Sequence, residues 1–224
     1  MDLKNLIPFN DIKTIFFDYD GTLHKSIKIY GPAFRKAYTY LVRQGLADRR
    51  EWSDKEIGYW LGFNPQEMWK ILMPDLEEST RKKCSQIIGE EMSKLTEKGK
   101  TELYEGALDT LKYLKGRGYS LVFISNCKLS YRDCHSKLFS LGDYFEELVC
   151  SEEYNFIPKY EILRDIKGKY SEEMVIIGDR FQDIEAGKKN EIYTIGCSYG
   201  FSLGGELNES DLIIKNISEL KEYL

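Results

Sequence analysis

Short apolar runs rich in β-branched and aromatic residues recur along the chain, and each stops at a polar or glycine position. Thr14-Ile15-Phe16-Phe17 stops at Asp18, and Ser120-Leu121-Val122-Phe123-Ile124 stops at Ser125. Glu147-Leu148-Val149-Cys150 follows, then Met174-Val175-Ile176-Ile177, which stops at Gly178-Asp179. Ile192-Tyr193-Thr194-Ile195 and Leu212-Ile213-Ile214 close the series. Runs of this length without alternation predict strands buried on both faces. Between them the apolar spacing becomes helical. Leu108, Leu111 and Leu114 mark a helix over 106–117 with Gly118 just past its end, and further helices are predicted near 130–141, 159–169, 181–189 and 216–223. Buried strands alternating with amphipathic helices predict an α/β fold, a doubly wound parallel sheet covered on both faces.

The stretch from 24 to 98 breaks the alternation. It has no strand pattern but four helical ones, at 33–44, 54–61, 65–72 and 77–95, with Ser53 and Glu56 spaced as a capping box at the start of the second. The expected organisation is therefore a core formed by 1–22 and 98–224, interrupted by an all-helical insert at 23–97.

Composition narrows the function classes. Apolar residues make up 42% and charged residues 31%, an ordinary globular balance that argues against disorder. Lys+Arg 32 against Asp+Glu 37 gives a net charge of −5, which argues against a nucleic-acid partner but leaves small anions open. No apolar run is long enough to span a bilayer, so no membrane partner is expected. The N-terminus carries Asp2 and no apolar signal core, and the five cysteines form no C-x-x-C pair. These features point to the cytoplasm, with the chain a monomer or a homodimer.

In open parallel sheets ligands collect beyond the carboxyl ends of the strands. Three strands here end in groups suited to phosphoryl chemistry: Asp18-Tyr19-Asp20-Gly21-Thr22, Ser125-Asn126, and Gly178-Asp179 with Asp183 one helical turn on. Lys159 opens the helix after the third strand. A carboxylate attacking a phosphate ester is repelled unless cations neutralise the site. Hard oxygen ligands such as Asp18 and Asp179 suit Mg²⁺, with Asp183 orienting a ligand or a metal-bound water. Lys159 supplies fixed positive charge and Ser125 a hydroxyl donor for the phosphate oxygens. Asp20, two residues beyond Asp18 in a turn that Gly21 permits, is placed as acid and base.

On these segments the chain resembles the haloacid dehalogenase superfamily, in its phosphatase branch with a helical cap. Phe16-Phe17-Asp18-Tyr19-Asp20-Gly21-Thr22 fits the first family motif and Ile124-Ser125-Asn126 the second. Lys159-Tyr160-Glu161-Ile162-Leu163 fits the third, and Gly178-Asp179 with Asp183 the fourth. The continuation through Asn190 and Tyr199-Gly200-Phe201 is similar to the phosphoglycolate phosphatase-like subgroup. The resemblance covers essentially the whole chain. It implies Asp18 as nucleophile through an aspartyl-phosphate, Asp20 as acid/base, phosphate held by Ser125, Asn126 and Lys159, and Mg²⁺ held by Asp18, the Asp20 carbonyl and Asp179. The chain departs from the pattern in two places: Pro158 precedes the motif lysine, and Cys127 stands where many relatives carry a lysine.

The expected function is thus Mg²⁺-dependent hydrolysis of a small phosphorylated metabolite. A phosphomutase returning the phosphoryl group to a sugar would use the same residues. A phospho-accepting receiver domain would be far shorter and would lack the insert. A non-catalytic binding protein would be expected to have lost a carboxylate. His24 and His135 form no metal-binding pattern. The aromatic residues Tyr59, Trp60, Phe63 and Trp69 read chiefly as core of the insert, with one or two of the Gly58–Asn64 segment facing a substrate.

Overall fold

The computed structural model describes residue 9, residues 11–170 and residues 173–224. Asp2 and the rest of the first eight residues, part of the expected core segment 1–22, lie outside the described residues. The chain divides into two compact units. One ends its first segment at Leu23 and resumes at Leu103–Leu224; the other is His24–Glu102.

The first unit is built on β1 (Thr14–Phe17), β2 (Ser120–Ser125), β3 (Glu147–Cys150), β4 (Met174–Gly178), β5 (Tyr193–Cys197) and β6 (Leu212–Ile214). They form one six-stranded sheet in the order β3-β2-β1-β4-β5-β6, and every neighbouring pair is parallel. β1 lies at the centre, with Phe17 level with Phe123 of β2 and Ile177 of β4. Successive strand side chains point to opposite faces, and that alternation sorts the core into two halves. Ile15, Phe17, Leu121, Phe123, Val175 and Ile177 share one cluster with Leu111 and Leu114 of α5 (Ala107–Gly116). On that face α6 (Leu129–Phe139) contributes Leu129 and Tyr131, and Leu220 of the C-terminal α9 (Leu220–Tyr223) closes it. Phe16, Val122, Ile124 and Ile176 face the other way, onto Ile162, Leu163 and Ile166 of α7 (Lys159–Ile166) and Ala186 of α8 (Phe181–Lys189). The expected doubly wound sheet is what the chain forms.

The second unit is all helical: α1 (Ile27–Arg43), α2 (Asp54–Gly58), α3 (Pro65–Leu72) and α4 (Glu78–Glu97). α1 packs along α4, and the Trp69 indole N–H of α3 donates to Ser85 Oγ of α4 at 2.9 Å. The Ser53–Glu56 capping box forms as expected: Glu56 N–H donates to Ser53 Oγ at 3.2 Å, and Ser53 N–H to Glu56 Oε2 at 2.8 Å. A second box joins Asn64 and Glu67 at the start of α3. The first helix begins at Ile27, six positions before the expected start at Ala33. Gly31-Pro32 reads as a breaker, but Pro32 lies on the exposed side of α1 while Ile29, Tyr30, Ala33 and Phe34 are buried. Apolar burial holds the helix together across the one hydrogen bond that Pro32 lacks. No helix among the described residues is long and apolar enough to cross a membrane.

Candidate active site

Asp18 follows the last residue of β1, and its N–H extends the ladder by donating to Ile177 O at 2.9 Å. The chain then reverses. Thr22 and Leu23 N–H both donate to Tyr19 O, at 3.3 and 2.9 Å, closing a turn over Asp20-Gly21 in which Gly21 has φ +86°. A left-handed φ is strained for any residue with a Cβ, and a Cβ on Gly21 would also lie 2.2 Å from Asp179 Oδ2. Asp179 follows β4 directly, one strand over. Asp183 sits in the first turn of α8, where its Oδ2 accepts from Arg180 N–H at 3.0 Å. Lys159 is the first residue of α7.

These four side chains meet. One oxygen each from Asp18, Asp179 and Asp183 lie within 4.8 Å of one another. Lys159 Nζ donates to Asp18 Oδ1 at 2.7 Å and to Asp183 Oδ1 at 2.6 Å. All four residues are at most 5% exposed, so the charges interact with little screening by water. Burial pushes Asp18 up to about 7, helped by the nearby Asp183 charge and opposed by Lys159. Asp179 is held well above the usual carboxylate range, first by burial and then by Asp18 and Asp183. Burial works against the Lys159 charge, but the two carboxylates outweigh it and keep the ammonium protonated. Three carboxylates against one ammonium leave an excess of negative charge when all are ionised. A hard dication with a preference for oxygen, such as Mg²⁺, fits that donor set.

Asp179 is pinned at both oxygens. Phe201 N–H donates to Oδ2 at 2.6 Å, and Thr22 Oγ1 donates to Oδ1 at 3.4 Å. Asp20 Oδ1 accepts from Tyr131 Oη at 2.7 Å. Ser125 ends β2, buried, with Asn126 half-buried behind it. Cys127 is buried against Ser125 and Cys150, and burial pushes its thiol well above the ordinary range. It therefore adds no charge beside Ser125.

Residues 15–197 match the sequence profile of the haloacid dehalogenase-like hydrolases. The chain belongs to that family. It is 26% identical over 217 residues to the pyrophosphatase PpaX of Bacillus pumilus, covering 93% of this chain and 94% of that one. It is also 26% identical over 227 residues to a phosphoglycolate phosphatase of Nitrosococcus oceani, covering 94% and 95%. A Clostridium acetobutylicum protein described as a predicted phosphatase shares the fold with a TM-score of 0.79 at 22% identity, covering 94% and 97%. This haloacid dehalogenase-like enzyme is a hydrolase of phosphoric esters.

In this hydrolase the strand-end pattern pointed to Asp18, Asp179, Asp183 and Lys159, and the fold brings those four together. It did not assign the groups that hold them. Thr22 and Phe201 were visible only as motif letters, and their hydrogen bonds to Asp179 cross 157 and 22 positions of sequence. Gly200 stands so close to Asp179 that a Cβ there would lie 2.3 Å from the Asp179 Cβ. Tyr131, in the first turn of α6, had no motif to mark it.

Proposed function

We propose that this enzyme is a Mg²⁺-dependent phosphatase acting on a small phosphorylated metabolite, with Asp18 as nucleophile. The observation that carries the reading is the buried Asp18 carboxylate, fixed at a strand end by Lys159 beside two further carboxylates. Asp18, the Asp20 carbonyl and Asp179 would hold the ion, with Asp183 behind them. When bound, Mg²⁺ supplies the positive charge that lets an anionic nucleophile approach an anionic ester.

The chain's own groups perform the transfer. An Asp18 carboxylate oxygen bonds to phosphorus as the bond from phosphorus to the leaving oxygen breaks, and Asp20 gives its proton to that departing oxygen. Asp20 then takes a proton from water, the water oxygen bonds to phosphorus, and the aspartyl-phosphate opens to free Asp18 and inorganic phosphate. Ser125, Asn126 and Lys159 hold the phosphate oxygens throughout. All of these groups belong to one chain, so a monomer or a homodimer serves the reading equally. The cytoplasm suits it as well, because its five free thiols stay reduced there.

The test is phosphate release from p-nitrophenyl phosphate and from a metabolite panel headed by pyrophosphate and phosphoglycolate, the substrates in the relatives' names. It is run with Mg²⁺, with EDTA, and with Asp18→Asn. Turnover that needs Mg²⁺ and is lost in the variant supports the reading. Full activity in EDTA, or an Asp18→Asn variant as fast as the parent, would sink it. Conversion of a sugar phosphate to its isomer without net phosphate release would point instead to a mutase.

A further inference from the structure

Asp20 is tied to α6. Tyr131 Oη donates to Asp20 Oδ1 at 2.7 Å. The Tyr131 ring lies over the His135 ring, one turn along α6, with centroids 4.1 Å apart and planes 32° from parallel. His135 Nδ1 shares a 2.8 Å hydrogen bond with the hydroxyl of Tyr19, the residue between Asp18 and Asp20. Tyr19 and His135 are buried, and the Tyr19 ring packs at 5.2 Å on Phe123 of β2. The contacts therefore close a circuit. Tyr19 anchors α6 through His135, and α6 returns Tyr131 to the carboxylate one residue further along. Burial and the nearby Asp20 charge hold the Tyr131 phenol far above its usual ionisation, so it stays a neutral donor.

We propose that Tyr131 is a positioning residue that makes Asp20 a one-sided acid. The inference rests on the phosphatase reading above. A carboxylic acid can carry its proton on either oxygen and can turn about its Cβ–Cγ bond. The phenol O–H occupies Oδ1 as acceptor, which leaves the proton to Oδ2 and stops the turning. The leaving oxygen then meets the acid in one orientation, and proton transfer depends steeply on that alignment.

The experiment compares Tyr131→Phe with the parent on two aryl esters of similar size. Phenyl phosphate expels a basic phenolate that needs the proton; p-nitrophenyl phosphate expels a stabilised one that needs it far less. In Tyr131→Phe, kcat/KM for phenyl phosphate should fall ~10–100-fold and that for p-nitrophenyl phosphate less than ~3-fold. The ratio of the two values does not depend on how much of the sample is folded, and the phenylalanine ring still covers His135. An equal loss on both esters, or no loss on either, overturns the proposal.

A second measurement places Tyr131→Phe in an Asp20→Asn background, where it should add nothing on phenyl phosphate. A further loss as large as in the parent background overturns it. If the parent releases phosphate from no compound of the panel, or Asp18→Asn keeps the parent rate, the phosphatase reading falls first and this proposal with it.

Discussion

Asp18 has conflicting surroundings: burial and Asp183 favour its neutral form, while Lys159 favours its charged one. Burial wins in the metal-free protein, and this has a consequence for stability. A carboxyl with an ordinary value of 3.8 when unfolded and about 7 when folded binds more protons in the folded state between those limits. Its contribution to stability therefore falls as pH rises from about 4 to about 7 and is flat above that. In EDTA, the midpoint of thermal unfolding should drop over that window more steeply for the parent than for Asp18→Asn. Mg²⁺ favours the ionised carboxylate, so its stabilisation of the parent should be larger at pH 8 than at pH 6. Parallel midpoint-against-pH curves for the two proteins would contradict this account. At this scale the four charged side chains were legible, because each lies at a strand end or helix start that apolar patterning defines. The Asp179 partners were not, since a backbone N–H has no identity in sequence and Phe201 offers nothing else.

At the scale of elements, the site depends on how tightly a strand can turn into a helix. β4 ends at Gly178 and α8 begins at Phe181, leaving little chain in which to bring Asp183 back over the strand end. A Cβ at Gly178 would lie 2.1 Å from the Asp183 Cγ, so Gly178→Ala must push Asp183 away from Lys159 or shift the helix. The Mg²⁺ concentration for half-maximal activity should rise ~10-fold or more, as when an outer support of a metal site is lost. Stability should fall by ~1–3 kcal/mol. Mg²⁺ titrations and urea unfolding of the variant check both figures. The strands were legible to within a residue or two because parallel strands buried on both faces carry no competing polar period. α3 and α8 were legible at both ends: Asn64-Pro65 gives α3 a cap and a first residue, and Asp179 precedes the α8 turn. α1 starts at Ile27 rather than at 33 because burial of Ile29 and Tyr30, which the spacing alone does not show, carries the helix through Gly31-Pro32. α2 was overextended, ending at Gly58 rather than Leu61, because apolar positions alone do not separate a helix from the turns that follow it.

At the scale of the whole molecule, the sheet unit is interrupted between Leu23 and Leu103. Tyr104 N–H donates to Leu23 O at 2.8 Å, so the two ends of the sheet unit's interruption are joined within that unit itself. Replacing His24–Glu102 by a short glycine–serine linker should therefore leave a sheet unit that unfolds cooperatively and is stabilised by Mg²⁺. Circular dichroism and thermal unfolding with and without Mg²⁺ would show this, and an unfolded product would count against independence of the two units.

The same interruption governs events during synthesis. β1 is the central strand, yet its partners are Ser120–Phe123 and Met174–Ile177, both made long after it. At ~5–20 residues per second the ribosome takes on the order of ten seconds to reach β2. For that interval Thr14-Ile15-Phe16-Phe17, a strand with no polar face, has no native strand to pair with. The helices of 24–102 draw on contacts within their own segment and can form first. The nascent chain thus carries Asp18 next to an apolar strand that stays unpaired until β2 is made, a hazard for aggregation rather than a part of a site.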